Sequence, residues 1–151
     1  MTLLDANVLL YAYDGRSAQH KPARRWLEEL LSGRETVGLP WITAWAFIRI
    51  STNPQLNEQP LRAEEATRII GELQANPLVV MVNPGPRHLE ILQEQMLGAQ
   101  VRGRDTTDAV LAALAIENGA VLCSTDAGFR RFPALNWVHP LIASRKPRAG
   151  A

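Results

Sequence analysis

Apolar residues fall along this chain in short blocks whose period changes between strand-like and helix-like. The run Thr2-Leu-Leu4 predicts a short buried strand, followed at once by an apolar turn of helix that ends near Tyr13. Ser17 is placed to cap a second helix, with Ala23, Trp26, Leu27, Leu30 and Leu31 on one face and Gly33 as its stop. Val37-Gly-Leu39 predicts a second strand. A helix then covers residues 41–52, ending ahead of Asn53-Pro54, and another covers 62–74 with Ala66, Ile69, Ile70 and Leu73 inward. Leu78-Val-Val-Met-Val82 is an unbroken apolar run, the pattern of a strand covered on both faces. Pro86 opens a helix that closes near Gly98. Residues 106–118 are helical and apolar nearly all round, so this helix belongs in the middle of a fold, with Gly119 as its stop. Ala120-Val-Leu-Cys123 and Asn136-Trp-Val138 complete the strands.

Strands separated by helices predict an α/β fold in which a central parallel sheet carries helices on its faces. Ligands of such sheets bind at the carboxyl ends of the strands, which directs attention to Asp5 and Asp126.

Composition narrows the picture without changing it. At 151 residues, 46% of them hydrophobic, the chain has room for one domain with a proper core, expected over residues 1–143. Residues 144–151 read as a loose basic tail, with Arg145, Lys146 and Arg148. The 144 residues before that cluster hold 13 basic and 15 acidic groups, so any nucleic acid must be met by local basic patches rather than by bulk charge. No apolar run suggests a membrane span, and the first residues lack the basic region of a signal peptide. A single cysteine, Cys123, excludes an internal disulfide framework and fits the cytoplasm. Three scattered histidines give no support to a zinc site.

Three aspartates stand where chemistry is expected, and each also has a plainer role. Asp5 follows a buried strand among apolar neighbours, where a carboxylate is costly unless paired or bound to metal; it also suits capping of the next helix, aided by Asn7. Asp126, just past another strand, suits a turn in Asp-Ala-Gly. Asp108, with Asp105 three residues earlier, suits a helix-capping arrangement. Two strand ends and the start of a buried helix can nevertheless bring three carboxylates to one point. Hard oxygen ligands of this kind suit Mg²⁺ or Mn²⁺, which lowers the pKa of bound water and neutralises charge on a phosphodiester.

Leu-Leu-Asp-Ala-Asn-Val-Leu-Leu-Tyr near the start, Asp108-Ala-Val-Leu-Ala-Ala-Leu-Ala-Ile-Glu-Asn-Gly119, and Ser124-Thr-Asp-Ala-Gly-Phe-Arg-Arg-Phe-Pro133 together resemble the PIN-domain ribonucleases. More narrowly, they resemble the VapC toxins of bacterial toxin–antitoxin modules, over roughly residues 1–141 and in the same order. Leu39-Pro-Trp, Arg49-Ile-Ser-Thr-Asn-Pro54 and Asn136-Trp-Val-His-Pro-Leu141 fit one branch of that family. The resemblance implies a three-layer α/β/α fold, Mg²⁺-dependent endonucleolytic cleavage of RNA, and Asp5, Asp108 and Asp126 as catalytic metal ligands. It also implies neutralisation by a small VapB-type antitoxin and assembly as a homodimer. One position departs from the pattern. Most of the family has a glutamate on the helix after the second strand, where this chain has Ala46. Asp105 is a candidate substitute, although a simple helix cap is its plainer role. Three aspartates bring −3 against the +4 of two dications, so a single tightly held ion is expected before RNA arrives.

Around these motifs, Arg102, Arg104, Arg130 and Arg131 are candidates for phosphate contacts or for charge pairs on a solvated face, and Arg49 is a candidate to reach the acidic site or a phosphate, with a helix surface as its plainer place. Trp26, Trp41 and Trp45 read as core or dimer contacts before base-stacking platforms. Two other functions stay open. Asp-x-Asn after a strand with a later Thr-Asp resembles aspartate-nucleophile phosphatases, but Asn7 stands where those need a second aspartate. A catalytically silent PIN-like module that only binds a partner is favoured by Ala46.

Overall fold

A computed structural model describes residues 1–142; the basic tail expected at 144–151 lies outside them. Five strands, β1 (Thr2–Leu4), β2 (Val37–Pro40), β3 (Val79–Val82), β4 (Val121–Cys123) and β5 (Trp137–Val138), form one all-parallel sheet in the order β3-β2-β1-β4-β5. Six helices cover its faces: α1 (Ala6–Tyr13), α2 (His20–Leu31), α3 (Trp41–Ser51), α4 (Ala63–Ala75), α5 (His88–Ala99) and α6 (Thr106–Glu117). This is the three-layer α/β/α arrangement expected from the alternation of strands and helices.

Alternation along β1 divides the core in two. Leu4 packs with Leu9, Leu27, Val37, Leu39, Phe47 and the apolar face of α4 on one side of the sheet. Leu3 points the other way, to Val82, Leu114, Leu122, Phe129 and Phe132 under α5 and α6. Between them Gly38 admits no side chain, because a Cβ there would come within 2.6 Å of Leu3 Cδ1. Its bareness lets β2 lie flush beneath Leu3. Gly119, at φ +60°, stops α6 as its position after the helical run predicts.

Two expectations need correction. β3 is not covered on both faces, because Val80 is 47% exposed, and it also stands at the edge of the sheet. Its apolar run reports local composition, while edge or centre is decided by strand order. Ser17 does not cap α2, which begins three residues later behind Gln19. Its Oγ instead accepts from the Gln19 amide at 3.1 Å in a local turn.

The strand order reverses beside β1. The chain moves outward through β2 and β3, then returns to place β4 on the other side of β1. At such a switch point the connections leave toward opposite faces and open a crevice at the strand ends. Asp5 and Asp126 lie in the two connections that bound it.

Candidate metal-binding active site

Asp5 sits at the N-cap of α1, where its Oδ1 accepts from the Ala6 amide at 2.7 Å. Its Oδ2 accepts from Ser124 Oγ at 2.7 Å and from Asn7 Nδ2 at 3.2 Å. Ser124 is fully buried, and its hydroxyl also accepts from Asn7 Nδ2 and from the Asp126 amide, each at 3.0 Å. Asn7 Oδ1 in turn accepts from the Thr125 amide at 3.2 Å. The ends of β1 and β4 are thus knotted by side chains whose polar atoms satisfy one another. Capping and clustering are not alternatives for Asp5, which does both. Burial, with Asp126 as a lesser contributor, pushes its carboxyl above the usual range, against the hydrogen bonds from Ser124 and Ala6.

Asp126 begins a 3-10 segment, Ala127–Arg131, and its Oδ1 accepts from the Gly128 amide at 2.8 Å, so the expected turn is present as well. Asp108 lies in the first turn of α6 but caps nothing. Its Oδ2 accepts from Arg131 Nη2 at 2.8 Å, in a pair whose side chains are about a third exposed, 31% for Asp108 and 33% for Arg131. Burial raises the Asp108 carboxyl too. Arg131 opposes that rise, while Asp126, Asp5 and Asp105 add to it. Asp105 occupies the N-cap position of α6, yet its side chain makes no capping hydrogen bond.

Three elements therefore put Asp5, Asp108 and Asp126 within electrostatic reach of one another. They do not form a closed cage: among the described residues, no three His, Cys, Asp or Glu side chains stand as a ready metal cluster. Thr43, buried on α3, donates to the Leu4 carbonyl at 2.8 Å and ties the start of that helix to the end of β1. Ala46 lies one turn further along α3, on the helix whose start Thr43 ties to β1.

Ser124 went unsingled in the sequence, although the strand-end rule that marks Asp126 covers it equally. For Arg131 the charge-pair alternative is the one that forms, although nothing in the sequence singled out Asp108 as its partner. Of the other arginines, Arg130 lies over the Trp137 ring at 5.3 Å, and Arg49 is on the exposed surface of α3. Trp45 is 62% exposed and tilted against Trp41, so it is no core residue.

This crevice at the switch point of a parallel sheet, lined by acidic residues just past β1 and β4 and in the first turn of α6, is the layout of a PIN domain. The PIN domain family profile matches residues 2–135, and the chain belongs to that family. It is 41% identical to Ribonuclease VapC37 of Mycobacterium tuberculosis over 140 residues, which is 93% of this chain and 97% of the relative. Its fold matches VapBC2 from Rickettsia felis, solved bound to a promoter DNA fragment, with a TM-score of 0.67 at 16% identity, over 91% of this chain and 96% of the other. A toxin–antitoxin complex from Klebsiella pneumoniae matches with a TM-score of 0.63 at 18% identity, over 93% and 98%.

Proposed function

We propose that the chain is the toxin of a toxin–antitoxin pair, a metal-dependent endoribonuclease that works through Asp5, Asp108 and Asp126. The carrying observation is that the end of β1, the turn after β4 and the start of α6 bring Asp5, Asp126 and Asp108 to one strand-end crevice, where burial first and neighbouring carboxylates second push the Asp5 and Asp108 carboxyls upward. Such a cluster holds negative charge that Arg131 alone offsets by an ion pair among the described residues. The donors, carboxylate oxygens with a buried hydroxyl behind them, fit a hard cation such as Mg²⁺ or Mn²⁺. When bound, that ion supplies a nucleophile at neutral pH and offsets charge on the phosphodiester. Ser124 and Asn7 hold Asp5 in one orientation, and Asp126 is fixed by its own turn. Similarity to a protein named Ribonuclease VapC37 supports RNA as the substrate.

A small VapB-like antitoxin restrains the enzyme, seating a basic or arginine-bearing segment beside Asp5 and Asp126, where a guanidinium pairs with carboxylates bidentately. The exposed Leu89 and Leu97 of α5 supply apolar surface for a homodimer. Ala46, in place of the family glutamate, favours one competing reading, a catalytically silent partner-binding module.

Incubation of the purified chain with cellular RNA, with and without EDTA, beside Asp5→Asn, separates the two. Cleavage that needs metal and falls at least about a hundredfold in the variant supports the nuclease. Intact RNA in every arm supports the silent module. Expression of the chain alone should harm a bacterial host and co-expression of the adjacent small open reading frame should relieve it; a harmless chain counts against the toxin role.

A further inference from the structure

Outside the aspartates the molecule has an apolar groove along α5, a cavity between the ends of α1 and α3, and one cation placed inside the acidic crevice. The groove, lined by Leu89, Leu92, Gln93, Met96, Leu97 and Val101, is the apolar face assigned above to a homodimer. The cavity, of about 290 Å³, contains Asp14 and Arg16, which pair on the surface. The cation is Arg131.

We propose that Arg131 is a resident counter-cation which a divalent metal must displace from Asp108, and which then turns to the RNA phosphate. This rests on the metal-dependent reading above. Among the described residues, no other ion pair involves Asp5, Asp108 or Asp126. Asp108 Oδ2 is spent on Nη2 of Arg131 at 2.8 Å, which leaves the carboxylate turned toward the guanidinium. A dication brought to that oxygen would sit against a fixed positive charge, and the two compete for one lone-pair site.

The arginine is also anchored so that displacement does not carry it away. It closes the 3-10 segment that Asp126 begins, so competitor and ligand share one rigid turn. Its guanidinium lies 5.1 Å from the centre of the Phe132 ring, and Phe132 is itself buried against Phe129. This apolar floor keeps the planar fork at the rim of the crevice after release. A phosphate drawn there by the metal meets a donor matched to its geometry. Asp108 thus exchanges one cation for another, and the freed one passes to the substrate.

The test is calorimetric titration of the RNA-free full chain with Mn²⁺, in wild type, Arg131→Met and Arg131→Lys. Methionine keeps the apolar stem over Phe132 and removes the charge, while lysine keeps the charge. The expected result is Mn²⁺ binding about two- to fivefold tighter in Arg131→Met, the size of a partly shielded ion pair, with Arg131→Lys close to wild type. Equal or weaker binding in Arg131→Met overturns the proposal, because Asp108 then takes metal through its other oxygen while keeping the arginine. No Mn²⁺ binding in any of the three proteins overturns the metal-dependent reading itself, and the proposal with it. A second titration uses a 2′-O-methyl oligoribonucleotide, which resists cleavage, on the Mn²⁺-loaded proteins. Arg131→Met should bind it more weakly and with a salt slope smaller by about one. An unchanged slope overturns the transfer to phosphate.

Discussion

Asp5 and Asp108 have carboxyls raised in the same direction and by the same leading cause, burial, yet the regions around them are built differently. At the strand ends, Asp5 is held by the Ala6 amide, Ser124 and Asn7, all parts of the fold's centre. At the helix start, Asp108 is held by one long side chain on a surface turn. The first carboxylate is oriented before any ligand arrives. The second is oriented by whatever cation is present. A site assembled this way has a rigid half and an exchangeable half, and substitutions should fall unequally on the two.

The largest difference in stability is expected from the rigid half. Ser124→Ala removes a buried hydroxyl that serves Asp5, Asn7 and the Asp126 amide at once, and leaves those groups short of partners. Urea unfolding of the variant should show a loss of about 1–3 kcal/mol. A loss within error would mean that water replaces the hydroxyl and that the knot is not rigid.

Asp108→Asn should act in the opposite direction on the metal-free protein, with a melting temperature equal to wild type or higher by roughly 1–3 °C near neutral pH. The sign follows from the raised carboxyl. Its folded pKa lies above the ordinary 3.8, so the folded state holds the proton more tightly than the unfolded chain. The cost of ionisation is fully present above the folded pKa and fades as pH falls toward 3.8. Metal-free wild type should therefore gain stability on mild acidification through this contribution, and Asp108→Asn should flatten that gain. A melt that drops sharply would show that Asp108 serves the helix start after all.

The smallest effect belongs to Asp105→Ala. Because Asp105 makes no capping hydrogen bond, the change should stay within about 0.5 kcal/mol by urea unfolding, against the ~1 kcal/mol expected of a working cap. Mn²⁺ stoichiometry should remain one ion per chain in wild type and variant alike. Two ions in wild type with one in Asp105→Ala would identify Asp105 as the ligand that stands in for the residue absent at Ala46.

What could be read in advance divides along the same line. Local periodicity located all five strands and all six helices, because each buries a face whose spacing is set by its own backbone. The strand-end rule then marked Asp5 and Asp126. The edge position of β3 was not legible, since Val79, Val80 and Met81 have the same composition whether the strand is central or outermost. Nor was the role of Ser124: a serine after a strand is common, and what distinguishes this one is a partner 119 residues away. The lack of a capping bond from Asp105 was hidden for a similar reason. Sequence spacing permits a cap, but only the backbone entering the helix, here a 3-10 turn over Gly103–Asp105, decides whether the side chain reaches.

Cys123 ends β4, next to Ser124, and is the chain's one thiol. Burial pushes it up to about 12, so at neutral pH it offers neither thiolate nor access. It therefore works as a clock placed inside the switch point. An aromatic disulfide reagent can colour it only when the central strands part, and its rate counts those openings. Added Mn²⁺ that slows the clock would report that the ion clasps β1 and β4 together, in a protein that has met no RNA.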